Sequence, residues 1–249
     1  MKGRLLDVTL GDPYSNLAAE EAIFRLMRVP TVRVWTNQKS VVIGRAQLAS
    51  METDMAYCAE RGFPVVRRFT AGGAVYNGPG NVNWSFFAPK GARGSRVAYS
   101  ADAKGVFRTF AGIVADALSA CWVSASFQPP NRIVTEKGKV SGMAAYITSS
   151  GAVCHGTLLM NADVDEVERL TRPREAKVER KYPRSNFARV ANSGVGRDGF
   201  VKALLDAADF DHEDDTLSRE EEDSVARLLA EKYGTERWNL GDPFSLDYL

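Results

Sequence analysis

The chain has 249 residues, of which 45% are hydrophobic, and a formal net charge of +1 at pH 7. These values fit one large soluble domain with an ample core. The net charge is too small to attract nucleic acid or an anionic membrane to the protein as a whole, so any phosphate site must be a local cluster of charge. Three scattered cysteines without a CxxC pair argue against a zinc site or a disulfide framework and favour a cytoplasmic location. The sequence shows neither a signal peptide nor a run of roughly 18 apolar residues that could span a membrane.

The first half of the chain mixes helical and extended patterns. Ser15 is a suitable N-cap for a helix whose apolar residues recur at helical spacing until Pro30. A polar loop at residues 89–100 leads into a long amphipathic helix over residues 101–121. Strands are predicted over residues 31–36, 40–43, 64–67 and 82–87, with a short helix over residues 55–61.

The second half begins with strands over residues 132–134, 139–147 and 152–160. Asp163 opens a short helix, and a capping box of Ser218 and Glu221 starts a last helix that ends at Tyr233. The basic stretch at residues 172–189 has no clean period and is predicted to be a surface loop. Because strands and helices do not alternate strictly, the pattern predicts an α+β fold with a mixed, mostly antiparallel sheet packed with helices.

The most informative stretch is residues 67–85, which read RRFTAGGAVYNGPGNVNWS. Small residues such as Gly72 and Gly73 let the backbone approach a ligand closely, and consecutive N–H groups can then face an anion. The competing interpretation is a plain strand, turn and strand, since glycine-rich turns join strands in many proteins.

Two further segments carry side chains suited to chemistry. Lys139 lies in the segment GKVSG, where it would be a point charge for a carboxylate or phosphate; the alternative is a solvated lysine. His155 opens a His-Gly pair inside an apolar strand, where the alternative is a hydrogen-bonded core residue.

In this order, the segments resemble the lipoate–protein ligase family. That family has a loop RRxSGGGAVYHDxGNxNxS, an earlier strand VVIGRxQ, a lysine segment KxxGxA, a strand HGTLL and a turn RVxN. The resemblance covers about residues 1–195 and leaves a helical extension at residues 196–249. We therefore expect residues 1–249 to form one catalytic domain with the fold of biotin and lipoate ligases, without the C-terminal accessory domain of many relatives.

The resemblance implies ATP- and Mg²⁺-dependent activation of lipoate to lipoyl-AMP, followed by transfer of the lipoyl group to a lysine of an acceptor lipoyl domain. It further implies a separate accessory protein, on which short-form members depend. Lys139 is the implied catalytic residue, because a cation there would offset the repulsion between the reacting carboxylate and phosphate. The metal ligands stay unassigned. The implied lipoate- and adenylate-binding residues are Arg68, Thr70, Ala71, Gly72, Gly73, Ala74, Val75, Tyr76, Asn83, Asn131, Gly142, His155 and Gly156.

The family's substrate also requires an apolar slot for the dithiolane and its alkyl chain. The basic stretch at residues 172–189 is expected to cover the adenylate, and the terminal aromatic residues Trp238, Phe244 and Tyr248 either form a partner surface or pack on their own domain. The candidates for the slot, each of which also suits a plain core, are Val41, Ile43, Val66, Ala74 and Tyr76.

Three departures from the family pattern bear on activity. Ala71 replaces the first loop glycine, and its methyl group restricts φ. Asn77-Gly78 replaces His-Asp, and the run Asn77-Gly78-Pro79-Gly80 is similar to the HGPG loop of octanoyltransferases, which share the fold. Arg132 stands where ligases commonly have aspartate, and the loss of that carboxylate would weaken metal binding.

Three alternative functions stay open. An octanoyltransferase would transfer an acyl group without ATP through a cysteine thioester, for which Cys154 is the cysteine closest to the lysine segment. Biotin–protein ligases use a GRGRxGRxW-type loop, which this sequence lacks. A non-catalytic module that binds lipoate or a lipoyl domain would explain the departures. The acceptor protein and the preference between lipoate and octanoate are left open.

Overall fold

The structure is a computed structural model that describes residues 2–92, 94–173 and 181–246. The strands are β1 Gly3–Asp7, β2 Thr31–Trp35, β3 Ser40–Ile43, β4 Val65–Arg67, β5 Val75–Asn77, β6 Asn81–Pro89, β7 Ser126–Gln128, β8 Arg132–Thr135, β9 Gly138–Ile147, β10 Gly151–Leu159 and β11 His212–Asp214. The helices are α1 Pro13–Leu26, α2 Ala49–Glu52, α3 Met55–Arg61, α4 Ala103–Ala120, α5 Val164–Thr171, α6 Arg197–Ala207, α7 Arg219–Leu228 and α8 Glu236–Leu240, with a π-helical turn at Leu229–Tyr233 and a 3₁₀ turn at Pro243–Ser245.

Within the described ranges the strands form a larger and a smaller sheet. The larger sheet has the order β11-β1-β2-β6-β10-β9-β8-β7, and the smaller sheet has the order β4-β3-β5. Strands β11, β1 and β2 run parallel, whereas every pairing from β2 to β7 is antiparallel. In the smaller sheet β3 pairs with β4 in parallel and with β5 antiparallel. The predicted α+β fold with a mixed, mostly antiparallel sheet is confirmed.

The two faces of the larger sheet differ in polarity. One face is apolar and packs under α4 and α6, where the ring of Phe86 stacks on that of Phe110 with centroids 5.0 Å apart. In antiparallel strands, paired residues point to the same side, so the register assigns Arg33, Ser85 and His155 to the other face. This second face mixes those polar residues with apolar ones such as Phe87 and Val153, lies next to α1 and positions the candidate site.

Several local predictions need correction. Helix α1 is capped by Asp12 rather than Ser15, because the Asp12 carboxylate accepts the Ser15 N–H at 2.8 Å and Pro13 fits the first helical position. The capping box at Ser218 is present, but the last helix closes with a π-helical turn. Some elements were not predicted because they are too short to show the hydrophobic period of a strand or a helix: β1, β7, β11, α2 and α8.

Arg67 is fully buried and joins three parts of the chain. Its guanidinium donates to the carbonyl oxygens of Arg45 at 2.9 Å, Trp238 at 2.6 Å and Gly241 at 3.0 Å. The Trp238 indole returns a hydrogen bond of 2.8 Å to the Arg67 carbonyl. Burial lowers the pKa of Arg67 to about 10, yet the side chain stays charged at neutral pH. Arg67 therefore ties α8 to the strand that precedes the glycine loop.

None of the described helices is both long and apolar enough to cross a bilayer.

We predict that Arg67→Met lowers the free energy of unfolding by about 3–5 kcal/mol, because it leaves several buried carbonyl groups without a donor. Urea unfolding measures this loss. The control is Lys202→Met, which removes an exposed ion pair with Asp206 on α6 and should leave the unfolding midpoint unchanged. A loss for Arg67→Met below about 1 kcal/mol would contradict the prediction.

Candidate active site

A cavity of about 290 Å³ lies between the two sheets. Its floor is formed by β6, β9 and β10 of the larger sheet, and opposite them lie β3, β5 and the glycine loop at residues 71–75. Residues 183–188, the described end of the basic stretch, form a third wall. The rest of that stretch, residues 174–180, lies outside the described residues, as does Tyr248.

Arg68 shapes the glycine loop from inside. Its guanidinium donates to the hydroxyl of Thr70 at 3.0 Å and to the carbonyls of Ala71 at 2.7 Å and Gly73 at 2.9 Å. With these carbonyls turned to Arg68, the N–H groups of Gly72 and Gly73 are left without a hydrogen-bond partner anywhere in the described chain. The cavity wall thus offers two backbone donors, the arrangement expected for an anion site.

The substitution at Ala71 does not strain this loop. Gly72 has φ +100°, which requires glycine, whereas Ala71 keeps a negative φ that any residue adopts. Close packing fixes the loop from the other side as well. A Cβ atom on Gly44 would lie 2.1 Å from the Gly72 carbonyl oxygen, so the VVIGR strand end must have glycine there.

A buried polar chain supports the loop from behind. The Thr70 hydroxyl lies 2.7 Å from His155 Nε2, and His155 Nδ1 lies 2.9 Å from the carboxylate of Glu20 on α1. Glu20 also bonds Arg33 at 2.9 Å and Ser85 at 2.7 Å. With Nδ1–H donated to Glu20, a neutral His155 accepts the Thr70 proton at Nε2. His155 is therefore both a lining residue and a link between loop and helix.

A β-bulge aims Lys139 into the cavity. Gly142 pairs with Arg132 and Ser141 with Ile133, but Lys139 pairs with Val134, so Val140 is an extra residue in β9. In a regular strand, residues 139 and 142 would point to opposite faces; the extra residue places them on the same face. A Cβ atom on Gly142 would lie 2.8 Å from Lys139 Nζ. Gly142 consequently leaves the space that the amine occupies.

Lys139 is a half-buried cation among other cations. Burial, and then the charges of Arg132 and Arg68, lower the pKa of its amine to about 8. No carboxylate of the described chain forms an ion pair with it, and the described lining residues include neither aspartate nor glutamate. A bound anion would supply the missing counter-charge. Arg132, a departure from the family pattern, adds to this positive field rather than binding a metal.

The floor changes from cationic to apolar along one row of paired residues. Arg132 pairs with Gly142, Gly142 with Thr157, Thr157 with Asn83 and Asn83 with Trp35. Lys139 lies over Gly142 at the cationic end. The opposite end is lined by Trp35 together with Leu17, Val42 and Val75. An elongated ligand with an anionic head and an apolar tail fits this gradient.

Ser185 fastens the third wall to the glycine loop. Its hydroxyl accepts the Ala74 N–H at 2.7 Å and a Gln47 N–H at 3.1 Å. Its own N–H donates to the buried carboxylate of Glu52 at 3.0 Å, which also binds Arg184 at 2.8 Å. The end of the basic stretch is therefore bonded to the loop, as expected of a segment that covers the site.

Most of the predicted site residues come together. Thr70 and Tyr76 do not line the cavity with their side chains. Thr70 lies behind the loop on His155, and the Tyr76 hydroxyl donates to Glu166 on α5 at 2.6 Å. Gly156 has a packing role, since a Cβ atom there would lie 2.5 Å from the Trp84 ring. The predicted residues that line the cavity are Arg68, Ala71, Gly72, Gly73, Ala74, Val75, Asn83, Asn131, Lys139, Gly142, His155 and Gly156.

The predicted apolar slot was mostly wrong. Val41 and Ile43 face a separate cluster under α3 and α5, together with Tyr76, and Val66 packs in a core cluster without lining the cavity. Only Ala74 of that set lines it. Sequence alternation could not reveal this, because all four residues of β3 are buried and both faces are apolar. The lining residues missed at the sequence level include Leu17, Trp35, Val42, Gln47, Asn77 and Ser185.

We predict that Lys139→Met raises the unfolding temperature of the ligand-free protein at pH 7 by at least ~2–4 °C. The folded-state pKa of about 8 lies below the ordinary 10.5, so the charged amine destabilises the fold below pH 8. This penalty fades as pH rises from 8 to 10.5, and so should the difference between variant and wild type. Calorimetry at pH 7 and pH 10 measures it, with exposed Lys137→Met as the control. A variant less stable than wild type at pH 7 would contradict the assignment.

We also predict that Glu20→Gln destabilises the fold by about 3–5 kcal/mol at pH 7, since Arg33 then keeps a buried, uncompensated charge. The partners His155, Arg33 and Ser85 outweigh the burial of the carboxyl group and hold the pKa of Glu20 below its ordinary value of 4.5. Ionised Glu20 therefore stabilises the fold above pH 4.5, and this contribution is lost as pH falls through the folded-state pKa. Unfolding at pH 7, 5 and 3 should show that the difference in free energy of unfolding between wild type and Glu20→Gln shrinks in acid. Glu60→Gln, at an exposed position, is the control. A difference that stays constant would be evidence against the ionised network.

Comparison with known proteins places the chain in a family. Residues 12–194 match the lipoyl protein ligase A/B catalytic domain. The chain is 28% identical to lipoate-protein ligase A subunit 1 of Thermoplasma acidophilum over 97% of both chains. Among solved structures it resembles a lipoate-protein ligase A bound with ATP, with a TM-score of 0.83 and 27% identity over 97% of this chain and 100% of that one.

Two other similar structures are from T. acidophilum. One has bound lipoic acid, with a TM-score of 0.82 and 27% identity over 97% of this chain and 100% of that one. The other comes from a bipartite lipoate protein ligase and its E2 lipoyl domain, with a TM-score of 0.83 and 27% identity over 97% of both chains. The matched segment, residues 12–194, lies within the predicted core at residues 1–195 and contains the glycine loop, Lys139 and His155. The chain belongs to the lipoyl protein ligase A/B catalytic domain family.

Proposed function

We propose that this protein activates lipoate with ATP to lipoyl-AMP and transfers the lipoyl group to a lysine of an acceptor lipoyl domain. The observation that carries the proposal is the cavity floor, which runs from Lys139 and Arg132 to Trp35. The cationic end suits phosphate, the apolar end suits the dithiolane and its chain, and the reacting carboxylate falls between them. Similar proteins hold lipoic acid or ATP in solved structures.

Lys139 is the proposed catalytic residue. The lipoate carboxylate attacks the α-phosphate of ATP, forming a C–O–P anhydride and releasing pyrophosphate. Two anions must approach for this step, and the Lys139 ammonium with the Gly72 and Gly73 N–H groups offsets their repulsion. Binding of a polyanion also raises the pKa of the amine again, which keeps it protonated during the reaction.

ATP would enter as its Mg²⁺ complex. The described residues include no cluster of carboxylate, histidine or cysteine ligands for a metal, and the cavity wall they form has no carboxylate. Mg²⁺ in proteins is commonly held by one or two carboxylates together with phosphates. This wall does not fit a protein-bound ion of that kind, so the phosphates and water would hold it.

A separate accessory protein and an acceptor lipoyl domain are the proposed partners. A similar ligase from T. acidophilum is bipartite and was solved in a study of its E2 lipoyl domain. Residues 1–249 then constitute the catalytic domain, with the core at 1–195. The three free cysteines suit a reducing cytoplasm as the place of reaction.

The cysteine-dependent acyltransferase is disfavoured by position. Cys154 belongs to the apolar cluster under α4, on the opposite face of β10 from His155. Complete burial raises the pKa of its thiol, so the thiolate needed for attack is not available. The cavity therefore has no cysteine among the lining residues of the described chain.

The proposal is tested by intact mass spectrometry of a lipoyl domain incubated with the protein, ATP, Mg²⁺ and lipoate, with and without an accessory protein. We expect a mass increase of one lipoyl group, and pyrophosphate release that Lys139→Ala reduces by at least ~10²-fold. Lys137→Ala, two residues away and exposed, is the matched control and should keep wild-type activity.

Three results would count against the proposal. Transfer without ATP would favour the acyltransferase. Tight binding of lipoyl-AMP without turnover, even with the accessory protein, would favour the non-catalytic module. Full activity of Lys139→Ala would remove the assigned role of the amine.

A further inference from the structure

The Asn83 amide stands out among the cavity residues. Asn83 is 3% exposed and lines the cavity, and its Nδ2 atom has no hydrogen-bond partner in the described part of the chain. Its Oδ1 atom accepts the Thr157 hydroxyl at 2.6 Å. A buried N–H₂ without an acceptor costs about 1–3 kcal/mol, and one that lines a cavity is in a position to be completed by a ligand.

The position of Asn83 selects the part of the ligand that it would contact. It lies between Thr157, which adjoins Gly142 and Lys139, and Trp35 at the apolar end. Strands are about 4.8 Å apart, so the Asn83 and Gly142 backbones lie roughly 10 Å apart, and the bond to Thr157 draws the amide toward Lys139. The acyl carbonyl is the junction between the apolar chain and the phosphate.

Resting on the proposed function, we propose that Asn83 is a catalytic residue whose Nδ2–H donates to the acyl carbonyl oxygen of lipoyl-AMP during transfer. The neutral amine of the acceptor lysine attacks the carbonyl carbon, forming the C–N bond and moving the C=O electron pair to oxygen. The electron pair on oxygen then re-forms the C=O bond while the C–O bond to phosphate breaks. AMP leaves with the electron pair of that C–O bond, and the extra proton on nitrogen passes to the departing phosphate.

Negative charge on the carbonyl oxygen grows in this step. A fixed hydrogen-bond donor therefore stabilises the transition state more than it stabilises bound lipoyl-AMP. The hydrogen bond from Thr157 fixes the amide before the ligand arrives. Lys139 at the phosphate side stabilises the leaving group, so the two residues act on different oxygens of one mixed anhydride.

The test uses chemically prepared lipoyl-AMP and a lipoyl domain under single-turnover conditions, which bypasses adenylation. Asn83→Asp keeps the shape and can still accept from Thr157 but has no N–H donor; Asn83→Ala removes the donor without adding charge. We expect both variants to lower the transfer rate constant at saturating lipoyl-AMP by about 10²-fold or more. The dissociation constant of lipoyl-AMP for Asn83→Ala should change far less, and thermal unfolding checks the fold.

Asn37→Asp is the matched control. Asn37 is also a buried asparagine whose Nδ2 lacks a partner in the described ranges, but it does not line the cavity. It should leave the transfer rate unchanged. Transfer by Asn83→Ala within about threefold of wild type, or an equal loss in Asn37→Asp, would overturn the inference alone. Absence of transfer by the wild-type protein would instead reject the proposed function.

Discussion

The site depends on a group of positive charges, one buried and two half-buried, that the described chain does not neutralise. Burial, and then the charges of Arg132 and Arg68, lower the pKa of Lys139 to about 8, and no carboxylate lines the part of the cavity that is described. Elsewhere in the described residues, buried cations are satisfied: Arg33 pairs with Glu20 and Lys232 with Glu21. The contrast indicates that an anionic ligand supplies the missing negative charge at the cavity. The uncompensated cations that destabilise the ligand-free protein would then be the same groups that bind phosphate.

Two local irregularities in the backbone and one missing side chain create this arrangement. The bulge at Val140 turns Lys139 toward the cavity, Gly142 leaves space for the amine, and Gly72 takes the positive φ that the loop requires. Each would weaken a regular strand or turn, and each occurs next to the proposed reacting atoms. Strain and irregularity of this kind are stable only because the surrounding packing determines them. Here that packing is provided by Arg68 within the loop and by the Thr70–His155–Glu20 chain behind it.

Much of this was accessible from sequence. Strands β3, β8, β9 and β10 and helices α3 and α4 were predicted within about two residues, because their apolar periods are clear. The glycine loop and Lys139 were found from residue type and order. The ligand's apolar wall was not, because β3 is buried on both faces and alternation carries no information about which valine faces the cavity. The bulge was equally invisible, since a single extra residue changes the facing of Lys139 without changing the apolar pattern. Asn77 was noted only as a departure from the family pattern, and Ser185 only as part of the stretch expected to cover the adenylate, since neither residue type indicates contact with the cavity.

The C-terminal extension is hydrogen-bonded both to the strand that leads into the glycine loop and to the segment that covers the cavity. Through Arg67, α8 holds the strand that leads into the loop. Through Asp242, the segment after α8 accepts the Tyr182 hydroxyl at 3.0 Å, and the Tyr182 ring packs on Phe244, which is 53% exposed. Tyr182 precedes the residues that Ser185 bonds to the loop. Both the loop and the covering segment are therefore attached to one short stretch of chain near residue 242. The exposed ring of Phe244 therefore lies on the stretch of chain to which both walls of the cavity are hydrogen-bonded.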